Sequence, residues 1–164
     1  MVRFVKKYLI LNHLLNIIDP IIQWGTTPKL TIENKELVLK KTLISLYQEY
    51  LSLEGNVTDD EEEYPEAPAF NFEKISNTIR SNFPELGFYQ TVLDPFHLEK
   101  PDNGLGDAND DLSDIIKDLM EVQWRFQNTS EMDAIWYFEF IMRNHSERHI
   151  VNLLKTLKDL EERS

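Results

Sequence analysis

The chain has 164 residues, 41% hydrophobic and 28% charged, with 5 Gly and 7 Pro; a chain of that length buries roughly 70% of its unfolded surface, and the composition excludes a low-complexity or fibrous polymer. Its formal charge is −12, from 29 acidic against 17 basic residues, a field that repels a phosphate backbone and argues against direct nucleic-acid binding. The absence of cysteine removes a disulfide framework, a thiolate metal site and a cysteine nucleophile, and points to a cytoplasmic protein.

Apolar residues at Val2, Val5, Leu9, Ile10, Leu14, Ile17 and Ile18 recur at helical spacing, which predicts a first helix that ends or kinks where Asp19 precedes Pro20. The basic residues Arg3, Lys6 and Lys7 ahead of this run imitate a signal peptide. Asn12, His13 and Asn16 interrupt the apolar stretch and no small-residue cleavage site follows, so a mature helix is expected. A short piece from Pro20 to Trp24, stopped by Gly25, and a connection over Thr26 to Lys29 come next. Thr31 is the expected cap of a second long helix, whose buried face comprises Leu37, Leu39, Leu43, Ile44, Leu46, Tyr47 and Leu51, and which Gly55 ends. Five consecutive acidic residues, Asp59 through Glu63, with Pro65 and Pro68 after them, predict a solvated mobile linker over residues 55–69. No apolar stretch approaches the roughly 18 residues that a membrane-spanning helix needs.

Asn71 caps a third predicted helix through Ile75, Ile79 and Phe83. Residues Phe88 to Leu93 are ambiguous between a short helix and a strand and are assigned to helix, while 94–106, rich in Pro and Gly, are expected to form a loop. The fourth helix starts near Asp107 and carries an apolar stripe of Leu112, Ile115, Ile116, Leu119, Val122 and Phe126. Asp107, Asp111, Asp114 and Asp118 fall at spacings of four, three and four, forming a second stripe beside the apolar one, with Asp111 and Asp118 nearest the core. A last helix begins at Asn128, Thr129 or Ser130 and runs towards Glu162, kinked near Asn144. Its buried stripe reads Ile135, Phe138, Met142, His145, His149, Leu153, Leu157 and Leu160, which puts two histidines on one face four residues apart. The elements together predict an all-α, antiparallel bundle of about five helices in one domain.

The segments Gly106 to Leu119 and Asp133 to Phe140, with His145-Ser-Glu-Arg-His149 after them, resemble the C-terminal half of a bacterial family known only as domain of unknown function 5063. Its pattern is Asp-Leu-Ala-Asp-Ile-Tyr-x-Asp-Leu, then a Trp-bearing helix ending in His-x-x-x-His and an apolar repeat. Asp111, Asp114, Asp118, Trp136, His145 and His149 carry the match. The resemblance spans residues 70–160, and residues 1–55 match only as generic helices. Because that family has no assigned activity, the resemblance implies an α-helical bundle and no function.

Two main readings compete for these residues, with a polar pocket for an organic ligand, formed by Asp111, Asp114, Asp118, Trp136, His145 and His149, as a third. In one, His145 and His149 with Asp111 and Asp114 hold a divalent transition metal, since histidines four residues apart on a helix aim both rings at one ion and a neighbouring helix adds carboxylate oxygens. Mixed nitrogen and oxygen ligands suit zinc, iron or manganese, and such a site activates water for metal-dependent hydrolysis. In the other, the aspartates and histidines satisfy one another across a helix pair. Trp136, with Trp124, Tyr137, Phe138 and Phe140, lines a ligand pocket or the core; Tyr137 and Phe140 point away from the main stripe, so this helix is either buried on two sides or offers a partner-binding face. Glu139 lies off the histidine stripe and is a poor third ligand. No phosphate loop, nucleophile elbow or His-Glu-x-x-His motif is present. The expected function is therefore an accessory or protein-interaction module, acting on a protein partner or as a homo-oligomer, with a metal-dependent hydrolase as the alternative.

Overall fold

The computed structural model describes residues 2–53 and 62–163, with side chains from residue 13 onward. The basic residues Arg3, Lys6 and Lys7, Gly55, and Asp59 to Glu61 of the acidic run therefore lie outside the described side chains. Of the expected linker, residues 62–69 carry no regular secondary structure.

The chain is predominantly helical but not strictly all-α. Helices α1 (Val2–Thr26), α2 (Lys35–Leu53) and α3 (Phe72–Asn82) precede a two-stranded sheet of β1 (Phe88–Val92) and β2 (Asn103–Asp107). Helices α4 (Ala108–Asn128), α5 (Glu131–Ile141) and α6 (Glu147–Glu161) follow, the last two joined without a break by a π-helical turn at Met142–Ser146. Helix α4 is the hub: it touches α1, α3, α5 and α6. One apolar cluster runs through these contacts, with Leu14, Ile18, Leu39, Leu43, Ile79, Leu112, Ile115, Phe138, Ile150 and Leu153 fully enclosed.

Four expectations need correction. Helix α1 does not end at Pro20, which sits inside it. Proline there forfeits one backbone hydrogen bond, but Ile18, Ile21, Ile22 and Trp24 are buried on both sides of it, and that apolar burial outweighs the loss. Gly25 is likewise not a stop: a Cβ at this position would lie 2.8 Å from Ile116 Cγ2 and 2.9 Å from Ile75 Cγ2, so glycine lets α1 approach α3 and α4 closely. Helix α2 begins at Lys35 rather than after Thr31, following Asn34 at φ 51°. Its buried face is narrower than expected, because Leu37, Ile44 and Leu51 are exposed while Tyr50 and Leu53 are buried.

The fourth correction is the hairpin. Phe88 to Val92 is a strand, antiparallel to Asn103–Asp107, with Tyr89 opposite Gly106 and Gln90 opposite Leu105. Aromatic and β-branched residues here alternate between exposed and half-buried positions, the period of a strand and not of a helix. Gly106 admits the partner ring, since a Cβ there would lie 2.2 Å from Tyr89 Cζ and 2.5 Å from its hydroxyl oxygen.

Asn82 ties the first three helices together. Its Nδ2 donates to the carbonyls of Trp24 at 2.8 Å and Thr27 at 2.9 Å, and its Oδ1 accepts from the Leu30 amide at 2.8 Å. The side chain is 1% exposed, and removing it strands the buried Trp24 carbonyl, while the Thr27 carbonyl and Leu30 amide stand nearer solvent. Asn82→Ala is expected to cost about 2 kcal/mol by urea denaturation, most of it from the one buried orphaned group; a loss under ~1 kcal/mol would show that water repairs the gap.

Candidate metal centre

The site lies where α6 runs beside α4. Helix α4 is fixed at its start by Asp107, whose side chain accepts from the Asn109 amide at 2.9 Å. A buried pair couples it to α3, with Ser76 Oγ donating to Asn109 Oδ1 at 2.5 Å and Asn109 Nδ2 donating to the Ser76 carbonyl at 3.3 Å. At its far end Arg125 grips Asp133 through two bonds of 2.9 and 3.0 Å, and Ser130 caps α5 by accepting from the Asp133 amide. Nη1 of Arg125 is shared by both oxygens of Asp133 while its Nε and Nη2 reach Glu121 Oε1, so the half-enclosed guanidinium joins charges of α4 and α5 at the turn between them.

The expected kink near Asn144 is the π-helical turn, and it changes which residues face inward. An unbroken α-helical stripe would carry Met142, His145, His149 and Leu153. The wider turn shifts the phase, and the residues buried are Met142, Ser146, Ile150 and Leu153. His145 is consequently exposed and His149 half-buried, not core residues as expected. Turns of this kind recur at functional sites; here the physical effect is to rotate both imidazoles to the rim of the core.

Each ring is held there by an aspartate of α4. His149 Nδ1 lies 2.6 Å from Asp111 Oδ1, and His145 Nδ1 lies 2.8 Å from Asp118 Oδ2. Asp118 Oδ2 also accepts from Ser146 Oγ at 2.7 Å, and Asp111 Oδ2 accepts from the Tyr89 hydroxyl at 2.6 Å. The carboxylates are nearly enclosed, their side chains 8% exposed for Asp111 and 9% for Asp118, against 44% for His145. A carboxylate only accepts, so the Nδ1 facing it carries the hydrogen and Nε2 is left with its lone pair.

The two Nε2 atoms then face each other at 3.3 Å, with ring centroids 4.7 Å apart and rings inclined at 74°. Asp114 Oδ2 stands 3.9 Å from His149 Nε2, and one ligand atom from each of Asp114, His145 and His149 fits within a 4.8 Å span. Two bare lone pairs at this separation repel, and the arrangement is relieved by a shared cation: a proton, or a metal. For zinc bonded tetrahedrally to two imidazoles the nitrogens sit about 3.3 Å apart.

Asp111 and Asp118 are thus the orienting carboxylates behind the rings, and Asp114 is the carboxylate on the open side. Trp136 stacks on Phe140, with centroids 5.5 Å apart, and has no described contact with the histidines. Tyr137 packs under Arg125, whose guanidinium carbon is 4.1 Å from the ring centre. Sequence reasoning missed Tyr89 and Ser146. Tyr89 belongs to the segment assigned to helix, and only its pairing opposite Gly106 could have flagged it.

Negative charge is crowded at this end of α4. Burial, reinforced by Asp114, Asp107 and Asp111, raises the Asp110 carboxyl above its ordinary range. The bond to Asp111 raises His149 above an ordinary imidazole, against the opposing effect of burial and with help from the charges of Asp114 and Asp118. Burial and the bond to Asp111 push the Tyr89 phenol upward.

No family model matches the chain, and no curated protein does. A solved structure similar to it is that of protein BF1032 from Bacteroides fragilis, 16% identical, with a TM-score of 0.63 over 98% of this chain and 95% of that one. At this identity the likeness shows the fold alone.

Because His149 is raised in the folded chain, the stability it contributes is complete below the unfolded value of about 6.5 and disappears as pH rises through the folded value. In metal-free protein the urea midpoint should fall as pH rises above about 6.5, and Asp111→Asn should flatten that slope. Parallel pH profiles for the two proteins would contradict the assigned coupling.

Proposed function

We propose that this chain is a cytoplasmic helical-bundle protein that binds one divalent transition metal through His145, His149 and Asp114, and uses it for metal-assisted hydrolysis. The single observation supporting this is the opposed Nε2 pair at 3.3 Å, each ring fixed from behind by an enclosed carboxylate. Carboxylates on the far nitrogen of a metal-bound histidine lock its tautomer and raise its basicity. His145, His149 and Asp114 would supply three protein ligands, the donor count of catalytic and not structural zinc sites. A metal held by them would supply an acidified water, with a pKa of about 7, for hydrolysis at neutral pH. Membership in the family resembled by residues 106–149 is proposed on the same residues.

Isothermal titration of chelator-stripped protein with Zn2+ is expected to give one site per chain, lost in the His145→Ala, His149→Ala double variant. Wild-type protein that takes up no Zn2+, or a double variant that binds as well, sinks the reading. The hydrolytic part is tested separately with p-nitrophenyl ester and phosphate substrates: turnover should need metal and vanish with chelator.

A second reading, the protein-interaction module, is favoured by a different surface. Phe88, Val92, Leu93, Phe96, Leu98 and Leu105 of the hairpin region are all exposed, and exposed apolar patches mark association surfaces. No helix of the described residues is long and apolar enough to cross a membrane. On this reading the patch makes protein contact, self-association first. Sedimentation should show concentration-dependent association that Phe96→Ser with Leu98→Ser abolishes; a wild-type monomer throughout the accessible range counts against the homo-oligomer.

A further inference from the structure

The hairpin's role at the metal centre is separable from its exposed apolar face. Helix α4, the π-helical turn and α6 supply the aspartates and both histidines, yet one oxygen of Asp111 is met by a residue of none of them. Asp111 Oδ2 accepts from Tyr89, on β1, while its Oδ1 faces His149. The ring is seated by Gly106, its cross-strand partner, where any Cβ would occupy the ring's place. Gly106 directly precedes Asp107, the residue that caps α4, and the Ala108 amide donates to the Gly87 carbonyl at 3.0 Å. The strand pair is thus anchored to the first turn of α4, one turn before Asp111.

We infer that the hairpin is a latch for the metal centre, with Tyr89 a positioning residue that holds Asp111 so that His149 presents Nε2 towards His145 and Asp114. Without the phenol, one oxygen of Asp111 is left without its described partner in a nearly closed site, and the carboxylate is free to rotate. His149 then loses a fixed acceptor on Nδ1, and with it the tautomer that leaves Nε2 available. Gly106 serves the same end by leaving room for the ring. The latch rests on the metal reading for its purpose, while the positioning itself is present without metal.

The test compares wild type, Tyr89→Phe, Gly106→Ala and, as a control on the opposite face of the hairpin, Leu105→Ser. Zn2+ affinity is measured by competition with a chromophoric chelator, and the Nδ1–H signal of His149 is followed by NMR in chelator-stripped protein. Tyr89→Phe and Gly106→Ala should bind Zn2+ about 10- to 100-fold more weakly and lose or broaden the His149 signal. Leu105→Ser should match wild type in both. Cooperative melting of the stripped variants separates positioning from unfolding, because a merely structural tyrosine would lower the melting temperature without changing Zn2+ affinity in the folded range. If wild type binds Zn2+ and Tyr89→Phe binds equally well, the latch is overturned and the metal reading stands. If wild type binds none, the metal reading falls, and the NMR signal alone decides: retained in Tyr89→Phe it overturns the positioning, lost it upholds it.

Discussion

Everything at this site follows from where the histidine hydrogens are forced to be. Asp111 and Asp118 present acceptors to the two Nδ1 atoms from enclosed positions on α4, and a carboxylate in such a place must be met by donors or its burial is costly. Each has two: an imidazole N–H and a hydroxyl, from Tyr89 for one and Ser146 for the other. The hydrogen-bond demands of the carboxylates therefore settle the ring tautomers, and the tautomers leave two lone pairs opposed at 3.3 Å. Placed in a field made by Asp107, Asp110, Asp111, Asp114 and Asp118, that pair attracts positive charge.

The same logic accounts for the raised His149. A proton shared between the rings and a metal held by both would answer the same electrostatic need, so the two would compete for one position and metal uptake would displace protons. Lys117, 3.4 Å from Asp114 Oδ1, partly neutralises the third carboxylate. It is a half-buried i,i+3 pair at the long end of hydrogen-bonding distance, and a weak one.

The supporting structure is organised around keeping α4 and α6 in register. Ser76 with Asn109 couples α4 to α3, Arg125 with Asp133 fixes the turn into α5, and the π-helical turn resets the phase of the rod before it passes the aspartates. Without the phase change, the imidazoles would point into the apolar cluster, where neither solvent nor an ion could reach them. The hairpin adds the outermost contact, and it is also the part with the most exposed apolar surface.

Much of this was legible in one dimension. Period-3.6 apolar stripes identify α1, α3, α4 and the final rod, and Asn71, Asp107 and Ser130 act as the caps their side-chain oxygens suggest. The spacing of Asp111, Asp114 and Asp118, with histidines four apart on a later helix, already specified complementary faces, because helical geometry converts sequence intervals into angles. Three things needed the tertiary structure. Pro20 and Gly25 are tolerated inside α1 by packing against partners distant in sequence, which local propensity does not register. The strand at Phe88 to Val92 exists through pairing with residues 103–107, and a non-local partner leaves no mark in a short window. The division of labour among the aspartates, two behind the rings and one in front, depends on a single extra residue's worth of helical winding near Asn144, a fraction of a turn that only the packed chain fixes.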